Sequence, residues 1–191
     1  MRIMDLPIIK LTVTDEDETR VEKVSFVDDP AIERQWMAFK KEPYRFKADD
    51  EKRIVSGPLM VAGLPIYRHD EKNGEYYVQF DADTIKNIVL KFFREQRMSE
   101  VNLMHEVDVE GVYMFESFII DDRKRTPEGF SELPNGSWFG SFKVDNDEVW
   151  AKVKDGTFRG FSVEGMFSEV SERMEDEDLI KTIVRVLTEN Q

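Results

Sequence analysis

Ser162 lies in Arg159-Gly160-Phe161-Ser162-Val163-Glu164-Gly165, a single small hydroxyl between bulky apolar side chains with glycines on either side. In a strand, successive side chains point to opposite faces, so Ser162 faces one side and Phe161 and Val163 the other. A serine hydroxyl is a weak nucleophile near neutrality and needs a base within hydrogen-bond reach, which histidine supplies best. One of the chain's 2 histidines, His105, ends another apolar strand-like run, Asn102-Leu103-Met104-His105-Glu106. Ser162 and His105 are therefore the first candidates for acyl-transfer chemistry. The surrounding pattern is not a nucleophile elbow: Gly-x-Ser-x-Gly would need glycine where Glu164 stands, so the sharp strand-to-helix turn of an α/β-hydrolase is not encoded.

The elements that must position this pair are mostly strands. Short β-branched or aromatic runs at 7–13, 21–27, 53–61, 75–80, 100–105, 112–120, 136–144 and 157–167 are separated by charged or Gly/Pro-bearing connections, a spacing that predicts a barrel or sandwich. Ile85, Ile88, Val89, Phe92 and Phe93 form one apolar stripe on a helix expected over about 82–97, which either Asp81 or Asp83 could cap. A short helix is expected over 146–155, with Val149, Trp150 and Val153 on one face and Gly156 past its end. Leu179, Ile180, Ile183, Val184 and Leu187 predict a C-terminal amphipathic helix behind an acidic run that suits its positive dipole end. Segments 40–52 and 169–178, rich in ionisable side chains, read as flexible. The organisation is then one β-rich domain over 1–170, followed over 171–191 by an acidic connection and a helix that could dock on another subunit.

Composition narrows the function. Zero cysteines exclude disulfides, thiol catalysis and thiolate metal sites. Forty acidic against 27 basic side chains leave a formal charge of −13, which repels a phosphate backbone; nucleic acid is not an expected partner. Arg123-Lys124-Arg125, the densest basic patch, reads as a solvated loop. No apolar run approaches the roughly 20 residues of a membrane span, and the N-terminus lacks a signal-peptide pattern, so a soluble protein is expected. No cofactor is implied. A metal hydrolase using His69, Asp70, His105 and Glu106 is a poorer reading, because no His-x-x-x-His or comparable ligand spacing exists.

Several segments, in order, resemble the XkdF-like branch of the tailed-phage prohead proteases. They are Val24-Ser25-Phe26-Val27-Asp28-Asp29-Pro30-Ala31-Ile32, Trp36-Met37-Ala38-Phe39, Gly57-Pro58-Leu59-Met60, Pro65-Ile66-Tyr67-Arg68, Val101-Asn102-Leu103-Met104-His105-Glu106, Glu116-Ser117-Phe118-Ile119-Ile120-Asp121, Gly136-Ser137-Trp138-Phe139-Gly140, Asp147-Glu148-Val149-Trp150 and Gly160-Phe161-Ser162-Val163-Glu164-Gly165. The resemblance covers roughly residues 20–168. It implies a fold similar to the herpesvirus assemblins, mainly β with flanking helices (α+β), built on a closed or nearly closed β-barrel. It also implies Ser162 as nucleophile and His105 as general base in a capsid maturation serine endopeptidase. Such an enzyme cleaves scaffold, portal or other capsid proteins, and itself, inside the prohead in the host cytoplasm.

The third catalytic residue stays open. Assemblins use a second histidine, but His69 lies in a polar, hairpin-like stretch and reads as a surface residue. Other prohead proteases are expected to use an acid. Glu116 is preferred, since a carboxylate in the apolar run 112–120 is costly unless paired; an outward-facing strand glutamate is the structural alternative. Glu164, two residues from Ser162, could share its face. Related proteases carry a Glu-Val-Ser-Leu-Val…Pro-Ala strand after the serine. Here Lys23-Val24-Ser25-Phe26-Val27…Pro30-Ala31 precedes it, as if permuted, with lysine in the acid's place, which leaves Glu22 or Asp28 as outside candidates. Gly136, Gly140 and Gly165 are candidates for oxyanion donors, or else serve turns and bulges. The competing function is a non-catalytic prohead assembly or scaffold protein that keeps the protease fold.

Overall fold

Trp138–Val144 is buried along almost its whole length, the mark of a strand covered on both faces. It is β10 of a structure, a computed structural model, that describes residues 6–13, 19–28, 44–71, 74–123 and 125–169. The other strands are β1 (Ile8–Thr12), β2 (Arg20–Val27), β3 (Lys47–Asp49), β4 (Ile54–Met60), β5 (Ile66–Asp70), β6 (Gly74–Gln79), β7 (Val101–Leu103), β8 (Val107–Asp108), β9 (Val112–Ile119), β11 (Gly160–Met166) and β12 (Ser168–Glu169). They form three four-stranded sheets, in the orders β3-β4-β10-β9, β11-β2-β7-β8 and β12-β1-β6-β5.

These sheets correct the expected closed barrel: none of them closes. Closure would require each edge strand to ladder with another. The chain instead makes two parallel pairings, β2 with β7 and β1 with β6. A parallel pair needs a long crossover, and the crossover from β2 to β7 carries the chain through β3–β6 before it returns. Strands that are consecutive in sequence are thereby distributed among different sheets. β11 packs near β4, yet no ladder joins them among the described residues.

Phenylalanines hold the second sheet against the first. Phe26 of β2 and Phe161 of β11 are register partners with ring centroids 5.2 Å apart, and Phe161 lies 4.8 Å from Phe142 of β10. All three rings are buried. Each contributes about 1.5–3 kcal/mol by leaving water. Their alternation partners on β2 and β11, Ser25 and Ser162, take the opposite face.

Helix α1 (Ala82–Arg94) buries Ile85, Ile88 and Phe92 and sets Phe92 edge-on to Trp138 at 5.2 Å. Of its two possible caps the structure uses Asp81, whose carboxylate accepts from Thr84 N at 2.7 Å. The helix stops short of the expected 97 because Gln96 adopts a left-handed conformation, φ 58°, before a short 3-10 turn over Arg97–Ser99. Helix α2 (Asp147–Lys154) begins as expected on Asn146, which accepts from Glu148 N and Val149 N, and Gly156 follows it at φ 79°. Segment 40–52 contains β3, which its charge had concealed. The expected C-terminal helix, most of the acidic connection and the Trp36-Met37-Ala38-Phe39 segment lie outside the described residues.

Candidate active site

β2 lies between β11 and β7. Register sets Ser162 opposite Ser25, and Ser25 beside Asn102, so three small polar side chains form one row across the sheet. The row lies on the face away from Phe26 and Phe161. After Leu103 the chain reverses at once into β8, and Met104 and His105 take φ values of 56° and 62°. Glu106 N closes the turn on Leu103 O at 3.0 Å. Two consecutive left-handed residues are the geometry type I′ turns give to Asn-Gly; a methionine and a histidine hold it at a cost. Such strain concentrates at functional sites.

The turn brings the imidazole onto the row. His105 Nδ1 lies 2.8 Å from Ser25 Oγ and 3.4 Å from Glu164 Oε2. Ser25 Oγ donates to Asn102 Oδ1 at 2.5 Å, and Asn102 Nδ2 donates to Glu164 Oε2 at 2.8 Å. Ser25 is fully buried, whereas the His105 and Glu164 side chains are 40% and 41% exposed. Ser162 is half-buried and lines a cavity of about 300 Å³ together with His105, Glu164 and Gly165, with Leu59, Phe80 and Phe167 among its apolar walls. Among the described residues no hydrogen bond joins Ser162 to His105, whose ring contacts are Ser25 and Glu164. Cross-strand partners on one face have Cβ atoms about 4.5–5.5 Å apart, so Ser162 is one strand away from the hydroxyl that His105 touches. Catalytic contacts in unliganded sites are commonly looser than in the reacting complex.

Of the candidate acids, the structure brings Glu164 to His105. Glu164 is also the register partner of Lys23, the lysine standing in the acid's place. The Lys23 ammonium bonds to Asp108, which holds its pKa above the ordinary lysine value, and the Glu164 charge adds to that rise. The preferred acid, Glu116, lies on β9 in the other sheet. It accepts from Ser141 Oγ at 2.7 Å and from Arg125 at 2.6 Å, and these two bonds pull its pKa below the ordinary carboxylate value. Its carboxylate is paired, as its place in an apolar strand demanded, but not with the base. Glu22 pairs with Arg20 near the start of β2, and Asp28 follows the end of that strand. His69 is exposed, although it belongs to β5, paired with Glu75, where a turn was expected. Among the three glycines, Gly136 spends its N–H on Ile120 O and Gly140 sits within the β10 ladders. Gly165 lines the cavity opposite a bulge in β2, where a Cβ would come within 2.1 Å of Arg20 O.

Ser25 and Asn102 lie in segments that carry the resemblance, which assigns them no role. A signal for Ser25 was available: Val24-Ser25-Phe26 repeats the bulky–Ser–bulky pattern of Phe161-Ser162-Val163, and the two strands pair serine to serine.

Hydroxyl, imidazole and carboxylate side chains thus gather beside one cavity on a β-sheet framework, the residue types that acyl transfer uses. The chain belongs to the family described as "Putative phage serine protease XkdF", whose model matches residues 43–172. That span includes His105, Ser162 and Glu164 and leaves β1 and β2 outside. No curated protein and no solved structure matches the chain, so the further likeness in fold to herpesvirus assemblins gains no support. No helix among the described residues is long and apolar enough to cross a membrane.

Proposed function

We propose that the chain is a serine endopeptidase of phage capsid maturation, with Ser162 as nucleophile, His105 as general base and Glu164 as the acid beside the base. The observation that carries this reading is the His105 imidazole, held over the serine row by a strained turn, with Glu164 on its Nδ1 side and a half-buried Ser162 on the cavity wall. Ser162 Oγ adds to the carbonyl carbon of a peptide bond while His105 takes the hydroxyl proton. The tetrahedral intermediate expels the amine, which receives that proton, and water then hydrolyses the ester by the same route. Of the three candidate glycines, Gly165 is the one that lines the cavity beside Ser162, and its backbone N–H is the proposed donor to the developing oxyanion. The substrates are scaffold, portal or other proteins of the prohead, and the chain itself, as the family resemblance suggests.

Incubation of the full chain with a serine-directed phosphonate, followed by peptide mass mapping, tests the chemistry. An adduct on Ser162 that disappears in His105→Ala is expected. Co-expression with the capsid and scaffold proteins of the same phage tests the substrate class: new cleaved termini should appear with the wild type and not with Ser162→Ala. Absence of both adduct and cleavage would favour the non-catalytic assembly role.

A further inference from the structure

Donor and acceptor chemistry assigns a proton in this row. A Glu164 carboxylate can only accept, so the Asn102 group 2.8 Å from it is the NH₂, and Asn102 Oδ1 faces Ser25. An amide oxygen also only accepts, so the single hydroxyl proton of Ser25 goes to Asn102 Oδ1, 2.5 Å away. His105 Nδ1, at 2.8 Å, then meets an oxygen whose proton is already directed elsewhere. The contact is a hydrogen bond only if Nδ1 carries the proton. In a neutral imidazole that leaves the lone pair on Nε2.

We infer that Ser25, anchored through Asn102 to Glu164, is a positioning residue that fixes His105 as the Nδ1–H tautomer, leaving Nε2 as the atom that takes the proton of Ser162. This inference rests on the protease reading above. It also explains why two serines lie side by side with unequal exposure. Ser25 is 0% exposed and its proton points to an acceptor that is not a base, whereas Ser162 borders the cavity. The same directionality recruits Glu164 twice, through Asn102 and directly at 3.4 Å from Nδ1, so one carboxylate orients the base both by contact and through Ser25.

Long-range ¹H–¹⁵N NMR of the ¹⁵N-labelled full chain reads the tautomer directly, above the ordinary histidine pKa of about 6.5. His69→Gln identifies the His105 signals. In the wild type, Nδ1 should be protonated and Nε2 unprotonated. In Ser25→Ala the two tautomers should mix, and phosphonylation of Ser162 should slow roughly tenfold, the effect of losing one orienting hydrogen bond. Ser25→Thr, which keeps the hydroxyl, should restore both. A wild-type chain with the proton on Nε2 overturns the inference whether or not any variant folds. A folded Ser25→Ala with unchanged tautomer and rate overturns it too. Since the NMR reading needs no turnover, the predicted tautomer without any Ser162 adduct would sink the protease reading and still support the proton assignment.

Discussion

Two rows of small polar side chains cross two of the sheets, and both end on a glutamate. On the β3-β4-β10-β9 sheet, Ser56 Oγ donates to Ser141 Oγ at 2.8 Å and Ser141 Oγ to Glu116 Oε2 at 2.7 Å, while Arg125 bonds the same carboxylate and stacks 3.9 Å over Phe118. On the other sheet, Ser162, Ser25 and Asn102 lead to Glu164 and His105. The first row terminates on a guanidinium, which only donates, so its protons have fixed destinations. The second terminates on an imidazole, whose two ring nitrogens can donate at one and accept at the other. A serine and an acid in register are therefore not a site. The base, its strained turn and the adjoining cavity are what separate the second row from the first.

The largest effect that could break this comparison belongs to the reacting groups. Ser162→Ala or His105→Ala should each lower cleavage by up to about a million-fold, with little further loss in the double variant, because the two act as one unit. Progress curves on a co-purified capsid or scaffold substrate would measure it, and circular dichroism would establish that the variants fold. Wild-type cleavage by a folded Ser162→Ala chain would remove the distinction between the rows. A second, smaller effect concerns the acid: Glu164→Gln should lower turnover by roughly 10²-fold. That is less than the ~10⁴ lost with a close, buried orienting acid, because Glu164 is half exposed and 3.4 Å from the ring.

How far the rows could be read from the chain depended on which physical cue was local. Alternation along Phe161-Ser162-Val163 fixed the facing of Ser162 and the burial of Phe161, since period-2 patterning belongs to the strand itself. The stripe from Ile85 to Phe92 and the Asn146 cap were legible for the same reason. The choice between Glu116 and Glu164 was not, because it depends on cross-strand register: Glu116 meets Ser141 and Glu164 meets Lys23 through pairings that no local pattern encodes. The open sheets escaped notice for a related reason, as parallel pairing of β2 with β7 is decided by packing at long range. The left-handed pair at Met104 and His105 was likewise hidden, because neither residue type advertises a turn.

For the row that ends on Glu116 the expected effect is on stability alone. The bonds from Ser141 and then Arg125 hold the Glu116 carboxyl below the ordinary value of 4.5. A pKa lowered by folding contributes stability that is fully present above that ordinary value and is lost as pH falls through the folded one. Glu116→Gln should therefore cost about 1 kcal/mol or less near neutrality, a modest figure since the pair is partly exposed. The gap to the wild type should close in acid, as read from urea midpoints across pH. Turnover should be unaffected; a loss matching that of Glu164→Gln would place both rows in the mechanism.

The smallest effect, and the sharpest contrast, lies in the turn. Met104, 39% exposed, holds φ 56°, and its N–H donates to Phe26 O at 3.0 Å. Asparagine tolerates the left-handed region better than methionine and keeps that N–H. Met104→Asn should then relieve local strain and stabilise the fold by about 0.5–1 kcal/mol. His105 needs its own left-handed conformation to lie over Ser25, so easing the residue before it should leave the ring contact and turnover within about twofold of wild type, since the strain is a cost of placing the base and not a source of rate. Thermal melts and progress curves on the same preparation decide it. A variant that is more stable but cleaves much more slowly would show that the strained turn does more than place His105.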